Sequence, residues 1–386
     1  MRFVEALSHP GFGAIAEFKR RSPSAGDISP GAQVEAVASA YEKGGARAMS
    51  VLVDEAFAGS LDDLRAARAA VELPLLAKGF FSTEEDLREL REAGADAALL
   101  ILRDLDDATT AKLMSSAEEL GLDTLVEAHD VAELERATRL DAAVIGVNAR
   151  DLGTFRIDRT AQLALVAKAP RDRVVVAESA IHTRAQAAAA ELAGADAILV
   201  GTSLMRSTES GAKLRDLLSR PLVKVCGLTR QEDVDAAVES GADLLGFIFA
   251  EGSPRRAPDV LDVPETALTV AVHVGEPDER GADLVQLYAR EEGTVRGRDA
   301  VLLRDGEPVA RVADLPWEGQ DPDHWRNARG GGDDRLVLAG RLGPDNVRAA
   351  IRTVQPWAVD AASRLESAPG IKDQAKVKAF VEEARA

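Results

Sequence analysis

Residues 82–102 read STEEDLRELREAGADAALLIL, and the fold follows from the change of period inside that stretch. From Ser82 to Ala93 apolar residues recur at helical spacing among acids and arginines, the pattern of a surface helix. From Ala97 to Leu102 every residue is apolar, as in a strand buried on both faces. Gly94-Ala95-Asp96 separates the two, and glycine at a helix end accepts the left-handed backbone that other residues resist. The same punctuation precedes runs of β-formers at Gly45-Ala46-Arg47, Gly194-Ala195-Asp196, Gly241-Ala242-Asp243 and Gly281-Ala282-Asp283.

Working outward, the first half holds eight such runs: IAEFK (15–19), AMSVLVD (48–54), PLLAKGF (74–80), AALLIL (97–102), DTLVEAHD (123–130), AVIGVNARD (143–151), VVVAESA (174–180) and AILVGTS (197–203). Eight such strands, most of them separated by helical segments, predict a parallel (β/α)8 barrel. A doubly wound open sheet competes, but no glycine-rich dinucleotide turn follows the first strand. After Arg220-Pro221 the pattern restarts with VKVCG (223–227), and eight further strand candidates can be found. The expected architecture is therefore α/β, two tandem (β/α)8 barrels over 1–220 and 221–386. The second is expected to be short and irregular or incomplete. Only Gly306-Glu307 separates AVLLRD from PVARVAD, and Asp-Gly between strand-like runs makes a hairpin, which cannot join parallel neighbours.

Composition narrows the function. A chain of 386 residues exceeds the roughly 100–200 of one ordinary domain, and 46% apolar with 29% charged residues excludes wholesale disorder. One cysteine excludes an intramolecular disulfide framework. No run approaches the ~18 apolar residues of a membrane span, and Met1 to Gly13 lacks the start of a signal peptide, so the cytosol is the expected compartment. A net charge of −18 opposes binding to nucleic acid or anionic lipid, so an anionic ligand must be held by local groups. The five histidines form no spaced ligand pair, and neither a metal nor an organic cofactor is expected.

Polar residues interrupt the apolar strands at their C-terminal ends: Glu17 and Lys19, Lys78, Glu127, Asn148 with Arg150, Glu178 with Ser179, and Gly201-Thr202-Ser203. In a (β/α)8 barrel that end is the catalytic mouth. Any one of these alone reads more readily as a solvated surface residue or half of an ion pair. Together, two lysines, three glutamates and an asparagine would each cost desolvation free energy unless they faced one polar cavity. Phe57, Phe80 and Phe81 read either as walls of an aromatic subsite or as plain core. Cys226 ends its strand as a buried thiol or as a reactive group.

These phrases resemble two families. In the first half, IAEFKRRSPSAG (15–26), LLAKGFF around Lys78, LVEAHD (125–130), IGVNARDL (145–152), VAESAI (176–181) and VGTSLM (200–205) resemble indole-3-glycerol phosphate synthase. In the second, VKVCGLTRQEDV (223–234), GFIFAEGSPR (246–255), VQLY (285–288), VLAGRLGPDNV (337–347) and VDAASRLESAPGIKD (359–373) resemble phosphoribosylanthranilate isomerase. The resemblance implies an anthranilate-bearing sugar phosphate as substrate and no cofactor. It implies Lys78 as the general acid of ring closure, Glu127 and Lys19 in proton transfer, and Glu17 orienting Lys19. Asn148, Glu178 and Ser179 would position substrate. Ser22, Arg150, Gly201 and Thr202 would bind carboxylate or phosphate, and Phe57 and Phe80 would face the anthranilate ring.

For the isomerase the resemblance implies Cys226 as base, Arg255 on the anthranilate carboxylate, and as acid Asp305, with Asp314 the rival. The chain departs from both patterns. Gly79 stands where the synthase family has aspartate, Ala180 where it has glycine, and only about 14 residues precede the first strand, short of the family's extra N-terminal helix. Arg341 and Arg364 replace glycines of the isomerase phosphate site, and no glycine loop lies near Trp317. Either the two arginines bind phosphate themselves, or the second site has decayed and its domain serves as packing or an interaction module. A barrel enzyme acting on another phosphorylated sugar is the remaining alternative. The acidic, glycine-rich stretch from Asn327 to Arg335 reads as a flexible connection.

Overall fold

The computed structural model describes residues 2–23, 25–150, 156–289, 299–314 and 335–386. The expected connection at 327–335 lies outside the described residues except for Arg335, and so does Trp317. The chain divides into two compact units, Met1–His182 with Ala187–Leu218, and Thr183–Gln186 with Ser219–Ala386.

In the first unit eight parallel strands close into a barrel. They are β1 (Gly13–Phe18), β2 (Ala48–Leu52), β3 (Leu75–Lys78), β4 (Ala97–Ile101), β5 (Asp123–Ala128), β6 (Val144–Asn148), β7 (Val174–Glu178) and β8 (Ala197–Val200). Alternate residues face inward because a strand has a period of two. Ile15, Ala48, Leu76, Leu99, Leu125, Val144, Val176 and Leu199 fill the barrel interior. Their neighbours Ala14, Ala16, Met49, Leu75, Leu100, Val126 and Val175 pack with residues of the surrounding helices. The same parity carries inward to Glu17, Lys78, Glu127, Asn148 and Glu178 at the other end of the strands.

The N-terminal end of this barrel is plugged by a short helix, Arg2–Leu7, whose Phe3 and Leu7 join the interior cluster. The Asp123 carboxylate at the start of β5 accepts the Phe3 and Val4 backbone N–H groups at 3.1 and 3.2 Å. One helix-start N–H after another is satisfied by a cap, including Ser60 on Asp63, Thr83 on Asp86 and Asp130 on Glu133.

The second unit is also a closed barrel of eight strands: β9 (Leu222–Cys226), β10 (Leu244–Ile248), β11 (Leu268–Val274), β12 (Leu284–Tyr288), β13 (Asp299–Arg304), β14 (Glu307–Asp314), β15 (Leu336–Ala339) and β16 (Ala358–Ala361). No strand is missing; the irregularity is of direction. β13 runs antiparallel to both β12 and β14, and the tight turn through Asp305 and Gly306 joins it to β14. The described helices of its barrel wall are Gln231–Glu239, Val347–Val354 and Gln374–Arg385. The hairpin stands in place of a crossover connection, and among the described residues the connections 249–267 and 275–283 carry no helix either, so a barrel closes within the 166 residues after position 220.

Candidate active site

The inward-facing ends of the first barrel bring Glu17, Lys78, Glu127 and Glu178 together. The Lys78 ammonium donates to Glu178 Oε2 at 2.6 Å and lies 3.7 Å from both Glu17 Oε2 and Glu127 Oε2. Lys19 Nζ meets Glu17 Oε1 at 2.7 Å. Three carboxylates on one buried lysine cannot all be ordinary anions. Burial raises Glu178, the nearby Glu127 and Glu17 add to this against the attraction of Lys78, and its pKa is pushed up to about 7. Burial also opposes charge on Lys78, but Glu178, Glu17 and Glu127 outweigh it and keep it an ammonium. Glu127 resists burial through Lys78 and His129 and falls to about 2, while Lys19 and Lys78 hold Glu17 below its ordinary value against the same penalty.

Local packing leaves these carboxylates little freedom. A Cβ on Gly146 would lie 2.2 Å from Glu178 Oε1, and one on Gly201 would lie 2.3 Å from Glu17 Oε1. Both positions need glycine for close approach. Gln162, buried, donates through Nε2 to the Val147 and Glu178 carbonyls at 2.8 and 2.6 Å, tying the ends of β6 and β7. The Tyr41 hydroxyl donates to the Glu17 carbonyl at 3.0 Å and does the same for β1. Neither residue stood out in the sequence, since each acts through a backbone carbonyl far away in the chain.

The remaining expected residues surround this cluster. Asn148 hydrogen-bonds Glu127 and accepts the Arg150 backbone N–H at 3.0 Å. Arg150 is half-buried and feels the Glu17 charge. Ser22 is buried in a small hairpin after β1, where it accepts the Ala25 N–H at 3.1 Å. Gly201 caps the short helix Thr202–Met205 after β8. Phe57 is half-buried after β2, while Phe80 is 55% exposed after β3. At Gly79 the ring of Phe81 takes the space, 2.9 Å from where a Cβ would stand. Ser179 and Ala180 sit at φ 74° and 54°, so the alanine in place of the family's glycine holds a strained backbone.

His129 was missed. It follows β5, with Nε2 3.3 Å from Glu127 Oε1 and Nδ1 3.0 Å from Glu133 Oε2. Burial disfavours its charge, yet the two carboxylates raise its pKa to about 10. The sequence signal was Glu-x-His followed by a glutamate four residues on, at a helix start.

In the second barrel the parity of β9 points Lys224 and Cys226 inward. Lys224 Nζ donates to Gln286 Oε1 at 2.7 Å and to Asp360 Oδ2 at 2.8 Å. Burial pushes the Cys226 thiol up, and Lys224 and Lys372 only partly offset it. The Tyr288 hydroxyl, itself hydrogen-bonded by Gln286, donates to Asp314 Oδ2 at 3.1 Å. Asp305 does not join them. Because β13 is reversed, Asp305 lies at the opposite end of the barrel from Cys226, exposed in the hairpin turn and paired with Arg304. Asp314 ends β14 at the same end as Cys226; burial first, and then the Asp314 carboxylate, push the Tyr288 hydroxyl well up.

Arg255 is held bidentately by Glu366 at 2.7 and 2.8 Å, and Lys372 reaches the same carboxylate at 3.2 Å. Of the two arginines that replace glycines, Arg341 is exposed at φ 56° and Arg364 pairs with Asp345 at 2.8 Å.

Comparison with known proteins matches residues 1–217 to the indole-3-glycerol phosphate synthase family and residues 323–383 to the N-(5'-phosphoribosyl)anthranilate isomerase family. Indole-3-glycerol phosphate synthase of Mycobacterium ulcerans is 44% identical over 217 residues, 56% of this chain and 80% of that protein. Indole-3-glycerol phosphate synthase 2 of Streptomyces coelicolor is 45% identical over 217 residues, 56% of this chain and 84% of that protein. The structure of phosphoribosyl anthranilate isomerase from Thermotoga maritima is 27% identical, covers 43% of this chain and 99% of that one, and has a TM-score of 0.32. Among the described residues no helix is long and apolar enough to cross a membrane. The chain belongs to the indole-3-glycerol phosphate synthase family and carries after that half an isomerase-like one, both halves pointing to tryptophan biosynthesis.

Proposed function

We propose that residues 1–220 convert 1-(2-carboxyphenylamino)-1-deoxyribulose 5-phosphate to indole-3-glycerol phosphate, releasing one carbon dioxide and one water. The observation that carries this reading is the convergence of Glu17, Glu127 and Glu178 on Lys78. Ring closure needs a proton donor at the ketone, and the loss of water needs an acid and a base. Lys78, kept as an ammonium by its carboxylates, donates to the ketone oxygen. Glu127, an anion across the working range, accepts protons, and Lys19 delivers one to the departing hydroxyl with Glu17 fixing its aim. Glu178 and Asn148 orient the substrate. Ser179, Ser22, Arg150, Gly201 and Thr202 hold its anionic ends, with Phe57 and Phe80 at the aromatic end.

Residues 221–386 form the isomerase-like domain, with Cys226 as base and Asp314, rather than Asp305, as acid. A second reading, that this site has decayed, is favoured by the strained Arg341 in place of glycine and by the engagement of Arg364 with Asp345. A fluorescence assay of the pure chain with each anthranilate sugar phosphate separates the readings. Indole product from the ketone substrate supports the synthase, and its absence refutes it. Isomerase turnover that disappears in Cys226→Ala refutes decay.

A further inference from the structure

We infer that His129 is a positioning residue: braced by Glu133, its imidazole fixes the orientation and charge state of the Glu127 carboxylate. The inference rests on the reading of Glu127 as a proton-transfer group. The geometry forms one continuous line. Asp130 caps the helix Val131–Arg139 by accepting the Glu133 N–H at 2.8 Å, which places Glu133 in the first turn. Glu133 Oε2 then receives both the His129 backbone N–H at 2.8 Å and its Nδ1 at 3.0 Å, so the ring is held at two points. Its other nitrogen faces Glu127 Oε1 at 3.3 Å, an ion-pair contact rather than an aligned hydrogen bond. That leaves Glu127 Oε2 directed at Lys78, 3.7 Å away.

Both imidazole nitrogens therefore face carboxylate oxygens. A neutral ring has one N–H and would turn a lone pair toward one of the two carboxylates, whereas the imidazolium satisfies both. The cation in turn favours the ionised form of Glu127. The groups acting on Glu127 are Lys78, Glu17 and Glu178 across the barrel, Asn148 from the adjacent strand, and His129. Those acting on His129 are Glu127 and Glu133. Without the imidazolium, Glu127 gains a rotamer and its protonation moves to higher pH.

The test is steady-state ring closure by His129→Gln, Glu133→Gln and Glu127→Gln, each as a pH profile of kcat and KM. The expected result for His129→Gln is a kcat lower by roughly 10- to 100-fold, taking as scale the loss seen when a hydrogen-bonded partner that orients a metal ligand is removed. KM should stay within about twofold and the acidic limb should move to higher pH. Glu133→Gln should move the limb in the same direction by less, and it carries the test if His129→Gln does not fold. An unchanged kcat and limb in both, beside an inactive Glu127→Gln, overturns the inference alone. Full activity in Glu127→Gln overturns the reading on which it rests.

Discussion

Replacing Lys78 by methionine removes the one cation facing three carboxylates while keeping nearly the same volume. Stripping one partner from a buried ion pair costs roughly 3–5 kcal/mol when the remaining charge has no escape. Here Glu178 has one, because its pKa of about 7 already lets it take a proton near neutrality. A carboxyl raised in the folded state contributes stability that is full below its unfolded pKa and lost as pH rises through the folded one. In the native protein that loss ends near pH 7. In Lys78→Met the folded pKa climbs further, so the loss continues. The difference in stability between the two proteins should then widen by about 1.4 kcal/mol per pH unit above 7, one proton's worth. Urea unfolding at pH 6, 7, 8 and 9 measures it. In parallel, kcat for ring closure should fall by roughly 10²–10⁴, the range for losing a general acid. A stability difference independent of pH, or a kcat within tenfold of wild type, would refute the electrostatic reasoning.

Other substitutions probe separate parts of the account. Gly146→Ala puts a methyl 2.2 Å from Glu178 Oε1 and 2.6 Å from Leu125 Cδ2. It should cost about 1–3 kcal/mol in urea unfolding and lower kcat more than tenfold. Ala180→Gly relieves a left-handed alanine at φ 54° and should stabilise the protein by up to about 1 kcal/mol, read as a higher melting temperature. For isomerase turnover of the intact chain, Asp314→Asn should abolish it and Asp305→Asn should leave it within twofold. The reverse order would place the acid in the hairpin.

The first barrel and its mouth were legible because inward positions recur every second residue. Once IAEFK is a strand, Ile15 in the interior commits Glu17 to the mouth, and Leu76 commits Lys78 in the same way. The second barrel was half legible. Asp305-Gly306 announced a hairpin, but a Leu-Leu-x-Asp phrase reads alike whether its strand runs up or down, and only the register with β12 shows that Asp305 points away from Cys226. Arg255 and Glu366, 111 residues apart, leave no local signal of their pairing. His129 was hidden for another reason. A polar residue beside an N-cap aspartate reads as part of the cap, and its contact with Glu127 depends on how tightly Glu133 folds back over the helix start.

Ring closure by the charged cluster at the mouth of the first barrel is decided by supplying the ketone substrate labelled in its ring carboxylate and counting labelled carbon dioxide against indole product. One carbon dioxide for each indole with the native chain, and both products lowered together by roughly 10²–10⁴ with Lys78→Met of intact fold, is the predicted result. Indole formation within tenfold of the native rate in Lys78→Met, or a native chain that forms neither product, would contradict it.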